Sequence, residues 1–153
     1  MGSPLQLLLN VTAYLAIILL AVKGKRAERF AAIGLAVGQW GTPLVDHLVI
    51  GDFRWAVAAI SLGLFLLLVR LATVHDRWWL MLAAGAQSLS LATHVVTIFG
   101  AQALTWSIVT TRMTVWGEIM ILALFGLWEC RAAPYAQTKS NPLRPRPRDV
   151  RPL

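Results

Sequence analysis

The chain has 153 residues, 58% of them hydrophobic and 14% charged, with a mean hydropathy of +0.65 and a formal net charge of +7. Soluble domains carry about 25% charged residues, so this composition excludes an ordinary water-soluble fold and points to a single helical domain in a membrane. The positive balance does not imply nucleic acid, because nearly all Lys and Arg flank apolar segments or lie in the C-terminal tail, where lipid headgroups and membrane orientation account for them.

Five apolar segments follow one another, at about 5–22, 30–50, 55–74, 78–100 and 105–129. Each has roughly the 18–25 residues a helix needs to cross a bilayer. Before the first, "MGSPLQ" has no basic residue, and "AVKGKR" places the charge after it. This is the pattern of a retained helix that starts outside, not of a cleaved signal.

The second segment contains "GQWGTPLVDHLVI", which carries Asp46 and His47 into an apolar run. Gln39, Thr42 and Asp46 are spaced by three and four, so a regular helix aligns them on one face. Pro43 removes a backbone donor to the carbonyl of Gln39 and predicts a kink there, while Gly34, Gly38 and Gly41 permit close approach by a neighbour. The third segment offers only Ser61 and the terminal Arg70 as polar groups and is expected to face lipid. On the fourth, Gln87, Ser90, His94 and Thr97 share a face, and on the fifth Thr111, Thr114 and Glu118 do so. Residues 1–133 thus form a five-helix transmembrane domain, and the Pro- and Arg-rich stretch 134–153 is expected to be a disordered tail.

Charge sets the expected orientation. Lys23, Lys25, Arg26, Arg29, Arg70, Arg77, Arg131 and the basic residues of the tail all fall on one side, leaving Arg54 in the opposite loops and Arg112 within a helix. The positive-inside rule makes the basic side cytoplasmic, with the N-terminus outside, as in a multi-pass protein of the cytoplasmic (inner) membrane. Trp55 and Trp106 would mark the outer interface, and Trp78, Trp79 and Trp128 the inner one.

A shift of about 48 positions aligns "ERFAAIGLAVGQWGTPLVDHLVI" with "DRWWLMLAAGAQSLSLATHVVTI". The polar positions coincide, Gln39 with Gln87, Thr42 with Ser90, and Asp46 with His94. A parallel repeat relating helices 2–3 to helices 4–5 is one explanation. Repeat logic then pairs Asp46 with His94 in an outer polar layer and lets His47 turn toward water. The simplest packing turns the second, fourth and fifth segments together around a polar interior, with Arg112 stacked on Trp116 or reaching outward.

Charged groups within a bilayer are costly and seek partners or ligands. Gln39, Asp46, Gln87, His94 and Glu118 are therefore the candidate residues for binding or conducting a proton, cation or small polar solute. The alternative is an accessory or assembly subunit of a larger membrane complex, or a homo-oligomer, in which these groups serve as interhelical glue. Haem b held by His47 and His94 ranks third, and copper or zinc on those residues with Asp46 has no better support. Enzyme chemistry is not expected: no nucleophilic triad, phosphate loop or metal-helix motif appears, and the single Cys130 excludes an internal disulfide or multi-Cys metal site.

Overall fold

The computed structural model describes residues 4–48, 53–98 and 105–132, and all of its regular structure is helical. Helix α1 spans Pro4–Lys23. Helix α2 begins as Arg26–Ala36, passes through a π-helical turn at Val37–Gly41 and resumes as Thr42–Val45. Helices α3, α4 and α5 span Trp55–His75, Trp78–Ile98 and Thr105–Ala132. Segment 134–153, read from its composition as a disordered tail, lies outside the described residues.

Local chemistry explains the helix ends. Pro4 opens α1, where its missing N–H is no loss. At the start of α2, the Glu28 carboxylate accepts from the backbone N–H of Lys25 at 3.1 Å, half of a capping box. Helix α3 stops at Asp76, whose φ of 49° is left-handed and whose N–H bonds back to the carbonyl of Ala72. Only Arg77 then separates it from α4. The N-terminus of α4 is closed by a side chain from elsewhere: Glu129, near the end of α5, accepts from the N–H groups of Trp78 and Trp79, each at 3.3 Å. A carboxylate there also complements the positive end of the helix dipole.

The helices pack in chain order around a ring, and α1 closes it against α5. Small residues set the spacing. Ala13, Ala16, Ala31, Ala32, Ala83 and Ala123 are all buried between helices, as expected where close backbone approach rather than water exclusion drives packing. A β-carbon on Gly34 would collide with Leu67, and one on Gly126 would stand 2.5 Å from the indole of Trp79. The outward faces are apolar, including Leu15, Ile18, Ile33, Leu66, Leu82 and Ile121. Helices α3, α4 and α5 are each long and apolar enough to cross a membrane.

Two expectations change here. Trp79 is not an interfacial residue: it is fully buried against Gly126, while Trp55, Trp78, Trp106 and Trp128 are exposed. Helix α3 does not simply face lipid, because Leu64, Leu68 and Leu71 are buried and Ser61 joins a polar network. An apolar helix gives no local signal of which side meets its neighbours, and packing decides it.

Candidate functional site

A cavity of about 340 Å³ lies in the half of the bundle away from Lys25 and Glu129, and every helix contributes to its wall. Asn10 comes from α1, Gln39, Thr42 and Pro43 from α2, Ser61 from α3, Gln87, Ser90 and His94 from α4, and Arg112 from α5. Leu9, Val57, Ile60, Leu64 and Trp116 supply an apolar remainder. A concave, partly apolar chamber with a few convergent polar groups is the usual form of a small-ligand site.

Helix α2 is shaped around this cavity. The π turn at Val37–Gly41 ends two residues before Pro43, which cannot donate to a carbonyl one turn back. The helix therefore widens as well as bending, and π turns of this kind recur at functional sites. Gln39, within the turn, donates from Nε2 to Oδ1 of Asn10 at 3.0 Å. Tyr14 stacks on Trp40 nearby, with centroids 5.8 Å apart. These contacts tie the irregular turn to α1. Gly38 admits the ring of Trp116, as the sequence spacing anticipates for close approach.

Across the cavity, α4 and α5 share a chain of hydrogen bonds. Arg112 donates from Nε to Oγ1 of Thr93 at 2.8 Å and from Nη2 to Nδ1 of His94 at 3.0 Å. A guanidinium only donates, so Nδ1 of His94 accepts and the hydrogen sits on Nε2. Nε2 then donates to Oγ of Ser61 at 3.2 Å. Gln87 donates to the Ser61 carbonyl at 3.3 Å, which binds α4 to α3 at the same layer. Both ring nitrogens of His94 are thus occupied, and Phe53 meets the ring edge-on at 6.2 Å.

Of the residues singled out in the sequence, Gln39, Gln87 and His94 line this one cavity, and Asp46 and Glu118 do not. Asp46 turns outward to Arg54, with Oδ1 at 2.7 Å from Nη1, and both side chains are about half exposed. The anticipated Asp46–His94 pair does not form. Thr42 keeps the face beyond the π turn, but the helix ends at Val45 and Asp46 is its C-cap, so spacing counted along a longer helix no longer places it. Glu118 is exposed on the outer side of α5, beside a depression shared with Ser107, Thr111 and Thr114. Arg112 takes the inward place, where neither stacking on Trp116 nor an outward course was needed to satisfy it.

His47 is exposed and outside the cavity lining, so His47 and His94 do not face one another as paired axial ligands would. Among the described residues no group of three or more His, Cys, Asp or Glu could hold a metal ion.

The opposite end of the bundle holds a second polar cluster that periodicity alone does not reveal. Glu28, Arg77 and Glu129 are all buried, and Nε of Arg77 lies 3.5 Å from Oε1 of Glu28. Glu28 and Arg77 read in sequence as ordinary loop-flanking charges, and Glu129 sits among them near Arg131. With Glu129 capping α4, the cluster joins α2, α4 and α5, and its chemistry is that of a structural clamp. No family model, curated protein or solved structure matches the chain, so the site stands on its own geometry.

Proposed function

We propose that the protein is a five-span membrane protein that binds a small polar solute in the cavity between Gln39, Ser61, Gln87, His94 and Arg112. The observation that carries this reading is the convergence of polar side chains from all five helices on one chamber of about 340 Å³ beside a π turn. Such groups are expensive to bury in a bilayer, and here they pair with one another across the helices and still border a chamber. The gathering of Lys25, Arg77 and Arg131 at the other end supports an orientation with that end in the cytoplasm and the cavity toward the outside of an inner membrane. Within the sequence-based range of proton, cation or polar solute, the lining favours the solute, because its formal charge is that of Arg112.

The test is a thermal-shift screen of purified protein against amino acids, polyols, short carboxylates and monovalent cations, repeated on Ser90→Phe, which fills the chamber. Stabilisation by a solute, lost in Ser90→Phe, is the expected result. A screen in which no compound discriminates the two proteins overturns the reading.

A second reading, a subunit of an oligomer or larger complex, has its own observation. Ser107, Thr111, Thr114 and Glu118 lie along the outer side of α5, and Glu118 has no protein partner among the described residues. A carboxylate in the middle of a spanning helix favours cover by another helix over contact with lipid. With Cys130 replaced by Ala, Thr114→Cys should then cross-link to a second polypeptide in native membranes. A monomeric, uncross-linked product counts against it.

A further inference from the structure

Resting on the cavity reading of the proposed function, we propose that the bound solute carries an oxyanion, a carboxylate or phosphate, held by the guanidinium of Arg112. Among the described residues, Arg112 is the only one lining the cavity with a fixed charge, and the other polar groups there are neutral. Neither Asp46 nor Glu118, among the described residues, neutralises it. Asp46 is engaged with Arg54, and Glu118, six residues along the helix, lies on the outer side. His94 accepts from Arg112 and so cannot supply a negative charge. Among the described residues, the cation therefore has no counter-ion within a membrane helix, where an unpaired charge is least tolerated.

The hydrogen bonds also orient it. Nε is fixed by Thr93 and Nη2 by His94, so two of the five N–H donors set the plane of the guanidinium. The rest have no protein partner among the described residues, and Arg112 contributes to the cavity wall. A planar fork held from behind is the geometry that recognises carboxylate or phosphate through parallel hydrogen bonds. A cation would be repelled, and a neutral solute would leave the charge unmatched. The apolar wall at Val57, Leu64 and Trp116 suits a nonpolar portion of the same ligand. The oxyanion can belong to a free metabolite-sized anion or to a lipid headgroup, and the two sources separate experimentally.

The full-length protein is purified in dodecyl maltoside, which contributes neither phosphate nor carboxylate. It is titrated calorimetrically with benzoate and inorganic phosphate, with tetramethylammonium and glycerol as controls. A parallel sample in phosphatidylglycerol nanodiscs is examined by native mass spectrometry for retained lipid. Saturable binding of benzoate or phosphate, weakened about 10–100-fold in Arg112→Gln, supports the proposal with a free anion as ligand. Retention of phosphatidylglycerol that is lost in Arg112→Gln supports it with a headgroup as ligand. Absence of both, indifference to Arg112→Gln, or preference for tetramethylammonium or glycerol overturns it. Preference for a control that Ser90→Phe abolishes would overturn the oxyanion while leaving the cavity reading standing. If Arg112→Gln does not fold, Arg112→Lys and Thr93→Val replace it. Each should weaken oxyanion binding by about tenfold through loss of the fork or of its orientation, and unchanged affinity in both overturns the proposal. Asp52→Asn should leave affinity unaltered. A rise would mean that the chain supplies its own counter-ion, which also overturns it.

Discussion

Nη2 of Arg112 and Nδ1 of His94 meet at 3.0 Å, joining α5 to α4 in the layer where Ser61 joins α4 to α3. The chain Arg112–His94–Ser61 is directional, each group donating to the next. Its energetic signature is coupling. Arg112→Ala and His94→Ala should each destabilise the protein, and their double mutant should depart from additivity by about 0.5–3 kcal/mol in a reversible unfolding assay. Asp46→Ala should combine additively with His94→Ala, because Asp46 belongs to an exposed pair with Arg54, a type of contact that contributes about 0.2–1 kcal/mol. Coupling between Asp46 and His94 in place of His94 and Arg112 would contradict the observed partners.

The Glu129 carboxylate should matter more than its position near a helix end suggests. Its oxygens accept from the N–H groups of Trp78 and Trp79, and the residue is 1% exposed. Glu129→Ala leaves the buried N–H of Trp79 unsatisfied, at about 1–3 kcal/mol, and frees the part-buried N–H of Trp78. Glu129→Gln keeps an acceptor but loses the charge facing the helix dipole, so its loss should be smaller. The melting temperatures in detergent should fall in the order wild type, Gln, Ala, and an unchanged Ala variant would show that the cap is dispensable.

Gly126 lies against Trp79 so closely that an added β-carbon would stand within 2.5–2.7 Å of three indole atoms. Gly126→Ala should therefore destabilise by about 1–3 kcal/mol through overpacking. A smaller ring relieves the collision. Trp79→Phe in the Gly126→Ala background should recover part of the loss, and it removes an indole N–H that is buried without a partner. Failure of the second substitution to rescue would place the strain elsewhere.

Orientation is open to direct labelling. Native Cys130 is buried and should first be replaced by Ala, since its silence would say nothing about sidedness. In that background, Asp52→Cys and Gln102→Cys should react with an impermeant maleimide in intact cells, whereas the exposed Ala132→Cys should react only after permeabilisation. The reverse pattern would invert the proposed topology and place the cavity toward the cytoplasm.

Membrane character and most helix ends are legible in the sequence because they arise from local terms. Apolar length determines which segments suit a bilayer, and Pro4, Glu28 and Asp76 act on backbone groups within a turn of themselves. The candidates Gln39, Gln87 and His94 are legible for a related reason, since polar groups in apolar helices have few places to go. Tertiary structure alone decides the rest. Arg112 and Glu118 stand about 120° apart around α5 at ordinary helical spacing, so they cannot both face the cavity. The helix is apolar on most sides, and the burial of Val115, Ile119 and Ala123 against its neighbours selects Arg112 for the interior. The end of α2 has a comparable effect. Thr42 keeps its place beside Gln39 in the cavity wall, but the helix ends at Val45, so Asp46 stands at the C-cap and pairs with Arg54 instead of continuing the face. Periodicity counts residues along one helix; which way the helix is turned depends on what the others leave room for.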